Sequence, residues 1–290
     1  MQFPSKLAVL LRASLFLVFG YITLKILAGM LYEAFGLLVA SVLGVFAGAS
    51  IASALVIRIF ERGRLAGIGL NWTPGSARNL LLGLAGGFGA GTLVLGPSLM
   101  FGLAGWKPSS EGATGFGPFV FVTIVLLFGS VGEEMLFRGY GFQIMVPAFG
   151  RVATLLPMSV LFGAVHADNA NISALGMFNT VAWGVVLGIA LFRSGDLWMP
   201  IGLHFGWNWA LPLFGVNVSG FTMRLTGYAI EWRVSSLWSG GDYGPEGGLL
   251  CTLAVILVAA YLLNAPVAKQ RLALAEGPEQ ADSPLPSRHF

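Results

Sequence analysis

Charge is the scarce ingredient of this sequence. Asp, Glu, Lys and Arg together supply 10% of its 290 residues, against roughly 25% in an average soluble domain. That deficit excludes a water-facing surface over most of the chain, in which 56% of residues are hydrophobic and mean hydropathy is +0.80. Cysteine is almost missing. The single Cys251 rules out an intramolecular disulfide and any cysteine-based metal cluster, and its place at the start of an apolar run suits a buried, inert thiol. There are only 3 histidines, so any imidazole chemistry rests on very few side chains. The net charge of +3 is small and dispersed, which excludes a nucleic-acid partner and leaves the lipid bilayer as the surroundings.

What is abundant is apolar sequence in runs of about 20 residues, the length that crosses a bilayer as a helix. They predict an all-α, polytopic membrane protein of about eight transmembrane helices. The spans fall near 7–31, 35–57, 80–103, 118–147, 151–166, 172–192, 198–215 and 249–265. The fourth is long for one span, and the fifth and seventh are short. Basic residues favour alternate connections: Arg58, Arg62, Arg64 and Arg78, then Arg138 and Arg151, then Arg193, then Lys269 and Arg271. By the positive-inside rule both termini are then cytoplasmic.

The first run carries Arg12 and Lys25 and reads as a retained helix, not a cleaved leader. Arg12 suits a snorkelling position near the inner end; Lys25 fits that account less well. The glycine-dense stretch Leu82–Gly91 reads as a close helix contact. Residues 216–248 read as an outer loop on the membrane surface, and 276–290 as a disordered tail rich in Pro, Ser and charge. Residues 1–275 thus form one helical domain, without an internal repeat.

Within the fourth run stand two adjacent carboxylates, Glu133 and Glu134. Ionisable groups at bilayer depth are costly and normally face a cavity where they act. Glu134 and Arg138 are spaced i, i+4 and make a ready ion pair. Glu133 is rotated about 100° from Glu134, so the two should not share a partner. The division of labour that follows leaves Glu134 with Arg138 as structure and Glu133 free to act. Phe162 and His166 share the i, i+4 spacing, placing the ring beneath the imidazole, and so do His204 and Asn208. Asn179 and Trp183 repeat that geometry and read as packing, as do Trp207 and Trp209. The fourth helix is expected to run unbroken past Arg138. The short approach to His204 implies either that Ser194–Pro200 dips into the membrane or that the helix boundary lies elsewhere. Peptide hydrolysis needs such a set: a buried carboxylate base, and imidazole and amide donors for an oxyanion.

Glu133-Glu134-x-x-x-Arg138, Phe162-x-x-x-His166 and His204-x-x-x-Asn208, in that order, resemble the three signature motifs of the CPBP intramembrane proteases. That family includes CaaX prenyl endopeptidases and bacteriocin-processing or self-immunity (Abi) proteins. The resemblance covers about 118–215, the expected protease core. It implies cleavage of a membrane-associated peptide or protein, with or without a lipid modification, in the plasma (inner) membrane of a prokaryote. Glu133 and His166 would activate water, and His204 and Asn208 would stabilise the oxyanion; Glu134, Arg138 and Phe162 would support them. The family name implies a metalloprotease, with Glu133, His166 and His204 as zinc ligands beside an open position. The spacing is not HExxH, and the same residues work as a metal-free glutamate protease. Two other readings stand beside it: a proton-coupled transporter using these groups as a relay, and a non-catalytic scaffold or immunity protein. The transporter reading lacks a second Glu/His set in the other half of the chain.

Overall fold

A computed structural model of the chain describes residues 4–109, 115–223 and 225–276. The expected tail lies outside the described residues beyond Glu276. The elements run α1 (Lys6–Val56), α2 (Pro74–Met100), β1 (Ala104–Pro108), α3 (Phe116–Arg138), α4 (Tyr140–Phe149), α5 (Arg151–Ala164), α6 (Ala174–Ser194) and α7 (Trp198–Leu213), then β2 (Tyr228–Trp232), α8 (Ser236–Ser239), α9 (Leu249–Asn264) and α10 (Ala273–Glu276). Among the described residues, 4 helical stretches are long and apolar enough to cross a membrane: Lys6–Glu61, Pro74–Met100, Phe116–Phe149 and Ala174–Ser194. The chain is an integral membrane protein. Helix falls on each of the expected intervals, but α5, α7 and α9 have only 14, 16 and 16 residues, short of the usual span.

The first two expected spans are the arms of one bent element. Gly36 breaks α1 with φ 73° and ψ 172°, a left-handed conformation that glycine reaches without steric cost. The arms then fold back on each other through small residues. A Cβ on Gly48 would lie 2.6 Å from the Gly20 carbonyl, and one on Gly44 3.3 Å from the Ala28 methyl. Arg12 does not simply snorkel. It pairs with Glu61 at 3.0 Å, and the Tyr140 hydroxyl donates to the same oxygen at 3.1 Å, tying α1 to α4.

The glycines of Leu82–Gly91 do form a contact surface, and its partner is α7. Methyls on Gly83 and Gly87 would strike the backbone of Met199–Leu203 and Leu203–Trp207 respectively. Gly202 and Gly206 face the α2 backbone at Leu80 and Leu84 in return. Two helices that meet backbone to backbone leave no slack, so the carrier of His204 is held rigidly.

One expectation about helix ends is corrected. The fourth run is two helices, broken at Gly139 (φ −77°, ψ −136°). The Gln143 amide spans the break, donating to the carbonyls of Arg138 and Ile68 at 2.9 Å each. The turn before α7 is buried by other chain segments. Asn79 donates to Asp196 Oδ2 at 2.7 Å and to the Ala268 carbonyl at 2.8 Å, and Leu197 N–H reaches the Gly69 carbonyl at 3.0 Å. The sequence around 216–248 also departs from a surface loop. β2 pairs antiparallel with β1, Ala104 opposite Trp232, adding a two-stranded sheet to the helical fold. Val216, Val218, Met223, Ile230 and Tyr243 of this cap are buried, because it packs against the helices.

Leucine at Gly87 or Gly206 should abolish the α2–α7 contact, overpacking costing about 1–3 kcal/mol or more. Both variants are expected to unfold at lower temperature in detergent than Gly89→Leu, since Gly89 has nothing within 4 Å of its Cβ position. Thermal unfolding followed by size-exclusion chromatography would measure it.

Candidate active site

Glu133 and Glu134 lie near the end of α3 and face different surroundings. The Glu134 side chain is fully buried, whereas Glu133 keeps 28% of its surface exposed to a cavity. Arg138 Nη1 pairs with Glu134 Oε1 at 3.2 Å, and Nη2 donates to the Gly184 carbonyl of α6 at 3.0 Å. The guanidinium also lies 4.5 Å from the Phe162 ring centre. A buried ion pair persists when hydrogen bonds satisfy its remaining donors and acceptors; here the Gly184 carbonyl and the aromatic face contribute.

Glu134 does more than hold Arg138. Its Oε1 also accepts from His204 Nδ1–H at 2.9 Å, while His204 Nε2 stands 3.8 Å from Glu133 Oε2. The two carboxylates therefore do share a partner. Their 100° offset is spanned because an imidazole carries its nitrogens on opposite edges, one toward each acid.

His166 sits just beyond α5, which ends at Ala164, not within it as its spacing implies. The helix end leaves the Phe162 carbonyl without a helical partner, and His166 Nδ1–H donates to it at 2.7 Å. Phe162 lies beneath both imidazoles, 4.9 Å from the His166 ring and 6.1 Å from that of His204, with Phe137 edge-on at 5.1 Å. The expected packing of Phe162 against His166 is present, the rings tilted at 53°, and Phe162 also meets the second histidine edge-on at 81°.

Both Nδ1 atoms donate, so each neutral imidazole presents Nε2 as an acceptor. The two Nε2 atoms stand 3.9 and 3.8 Å from Glu133 Oε2, and that oxygen is buried without a hydrogen-bond partner. Three acceptors thus converge on one small space, too far apart for direct hydrogen bonds and close enough for a shared proton donor. A tetrahedral zinc with bonds near 2.0–2.1 Å needs its donors about 3.3 Å apart. Glu133 and the two histidines stand wider than that, and among the described residues no group of three or more His, Cys, Asp or Glu is arranged to hold a metal. Asn208, one turn beyond His204, lines the same space.

These groups open onto a cavity of about 800 Å³ with mainly apolar walls from α1, α3, α5, α6 and α7. The cap closes one end and brings Glu246, which sequence reading did not single out. Glu246 is buried and accepts from Trp207 Nε1–H at 3.2 Å and from the Ser219 hydroxyl at 3.0 Å, with the Ser219 N–H as a further donor. Burial pushes its carboxyl above the usual carboxylate range, and these donors oppose the shift. Asn179 fixes the same loop, donating to the carbonyls of Glu246 and Gly248 at 2.8 and 3.0 Å. Nothing in the aperiodic sequence around Pro245-Glu246-Gly247 signals a contact with α7, 39 residues earlier. Trp183 packs on Trp207 at 4.9 Å and donates to Cys251 Sγ at 3.3 Å.

Residues 115–210 match the family model described as type II CAAX prenyl endopeptidase Rce1-like. This segment is similar to the CPBP, or CAAX protease, family. The match contains every motif residue from Glu133 to Asn208 and leaves α1, α2, the cap and α9 outside it. No curated protein matches the chain.

Glu134→Gln should cost about 3–5 kcal/mol of stability, the scale for orphaning one member of a buried pair. A Glu134→Leu/Arg138→Met double variant is expected to recover part of it, because no charge is then left unpaired. Thermal or denaturant unfolding of the three proteins checks both parts. No recovery in the double variant would mean that Arg138 does not depend on Glu134.

Proposed function

We propose that this protein is a CAAX-protease-like intramembrane endopeptidase in which Glu133, His166, His204 and Asn208 hydrolyse a peptide bond without a metal. The observation that carries this reading is the convergence of Glu133 Oε2 and two imidazole Nε2 atoms at the edge of a large, mainly apolar cavity. A water molecule placed there can donate one hydrogen to Glu133 and the other to His166. Glu133 takes up the first proton as the water oxygen attacks the substrate carbonyl. The new C–O bond leaves negative charge on the former carbonyl oxygen. His204, held through Nδ1 by Glu134, donates from Nε2 when it carries a second proton, and the Asn208 amide supplies another donor. When the C–N bond breaks, Glu133 returns its proton to the leaving amine. Atoms and protons balance, and the carboxylate is restored.

The mainly apolar cavity suits a membrane-associated peptide or protein, including one that carries a lipid. The proposed setting is the plasma membrane of a prokaryote with both termini cytoplasmic, supported by the basic residues of 58–79 and of the segment after α9.

Glu133→Gln should lower hydrolysis of an S-farnesylated test peptide at least 10²-fold, with the unfolding temperature unchanged. His204→Ala should lower it about 10²–10³-fold, the usual loss for one oxyanion donor. Phenanthroline or EDTA should not inhibit. Stoichiometric zinc, lost in His166→Ala and His204→Ala and restoring chelated enzyme, would replace the metal-free mechanism with a zinc one.

Orientation is tested by cysteine labelling in intact cells. Ser76 is fully buried in the Thr73 capping box, so Arg64→Cys is the better probe of the basic face and Ser235→Cys of the cap. A membrane-impermeant maleimide should reach Ser235→Cys and not Arg64→Cys. Equal labelling of both would break the assigned topology.

A further inference from the structure

The Asn208 amide lines the cavity, where the proposed chemistry needs it as an oxyanion donor. Among the described residues no hydrogen bond holds that side chain. Its aim therefore depends on the turn of α7 that carries it. The residue before it, Trp207, is buried and gripped from the cap. Its indole N–H donates to Glu246 Oε1 at 3.2 Å, and its ring packs on Trp183 of α6 at 4.9 Å.

Glu246 is itself fixed on every side. The Ser219 hydroxyl stands 3.1 and 3.0 Å from its two oxygens, and the Ser219 N–H is a further donor. Its backbone carbonyl accepts from Asn179 of α6 at 2.8 Å, and Asn179 Oδ1 accepts from the Thr252 hydroxyl of α9 at 2.8 Å. One residue thus joins the cap to α6, α7 and α9. Both Glu246 oxygens accept from protein donors, whereas Glu133 Oε2 is buried without a partner. That contrast separates an anchor from a proton acceptor, although both acids line the cavity.

Glycine contacts set how closely α7 approaches α2, but a seam of small residues resists rotation about the helix axis only weakly. Directional hydrogen bonds supply that resistance. His204 is oriented by its bond to Glu134. One turn further on, the bond from Trp207 to Glu246 orients the stretch that bears Asn208. Side chains extend about 5–6 Å from a helix axis, so a rotation of about 10° moves the amide by about 1 Å. A displacement of that size can cost about 10²-fold in rate.

We propose that Glu246 is a positioning residue, which through Trp207 sets the rotation of α7 and so aims the Asn208 amide at the oxyanion. The cap, outside the segment that matches the protease family, then governs turnover at the motif residues. The inference rests on the endopeptidase reading for its purpose, but the geometry it asserts is separable from hydrolysis.

The test uses full-length protein in phosphatidylcholine nanodiscs and the S-farnesylated test peptide. Glu246→Gln puts an N–H₂ group where an acceptor faced donors, and Trp207→Phe removes the indole donor while keeping a ring. Each should lower kcat about 10- to 100-fold and change KM less than about threefold, because the amide acts on the transition state more than on bound substrate. In an Asn208→Ala background neither change should lower kcat by more than about twofold further. Losses that multiply in that background overturn the proposal, since Glu246 would then act on something other than Asn208. Wild-type kcat in both single variants overturns it as well. If Glu246→Gln does not fold, Trp207→Phe cuts the same bond from the other side and decides the matter.

A phosphinic analogue of the peptide, whose anionic oxygen takes the place of the oxyanion, reads the same geometry without turnover. Fluorescence anisotropy should show it bound about tenfold more tightly by the wild type than by Glu246→Gln. Asn208→Ala and Asn208→Ala/Glu246→Gln should bind it equally. Equal binding by the wild type and Glu246→Gln overturns the proposal. If the wild type hydrolyses no peptide while this pattern of binding holds, the proposed activity fails and the positioning role stands.

Discussion

A buried charge must be compensated where it lies, and the hydrogen-bonded unit of Glu134, Arg138 and His204 sets the arrangement of the helices around it. Arg138 reaches from α3 to the Gly184 carbonyl of α6, and Glu134 reaches from α3 to His204 of α7. Phe162 of α5 supplies the aromatic face beneath them. Displacing any of these helices would leave an ion or a polar hydrogen unmatched where water is scarce, so the network specifies relative position as well as contributing energy. Glu133, one residue away, is released from that duty and faces the cavity.

The glycine contacts between α2 and α7 serve the same end by packing. A helix that carries an imidazole between two carboxylates has to be held to a fraction of an ångström. Side chains at Gly83, Gly87, Gly202 or Gly206 would push the two backbones apart. Buried hydrogen bonds from Asn79 and Asp196 fix the start of α7, and Glu246 fixes its middle through Trp207. His204 therefore lies between two fixed points of its helix.

The cavity that results has polar and apolar regions. Its apolar walls include both arms of α1, outside the segment that matches the protease family. Its polar groups gather at α3, the end of α5, α7 and the cap. In the proposed reading the acid and imidazole groups sit on a rigid frame, while the α1 hairpin and the cap shape what enters.

Much of this was legible in the sequence because local periodicity and bilayer cost act on short stretches. Hydropathy located the helices, and i, i+4 spacing paired Glu134 with Arg138 and placed Phe162 under His166. The glycine density of Leu82–Gly91 marked a close contact without naming α7. What spacing cannot carry is anything set by helix ends or by contacts between distant segments. That is why the break at Gly139, the position of His166 beyond α5, and the bond between Glu134 and His204 across 70 residues came only from the tertiary structure. The cap gave still less warning. Residues 216–248 have no periodicity, and Glu246 acquires its role solely from where Ser219 and Trp207 meet it. Sequence by itself determined which residues are too polar for a membrane to tolerate idly; three-dimensional packing decided which of them face one another, because hydrogen bonds depend on distance and direction, and chain order specifies neither.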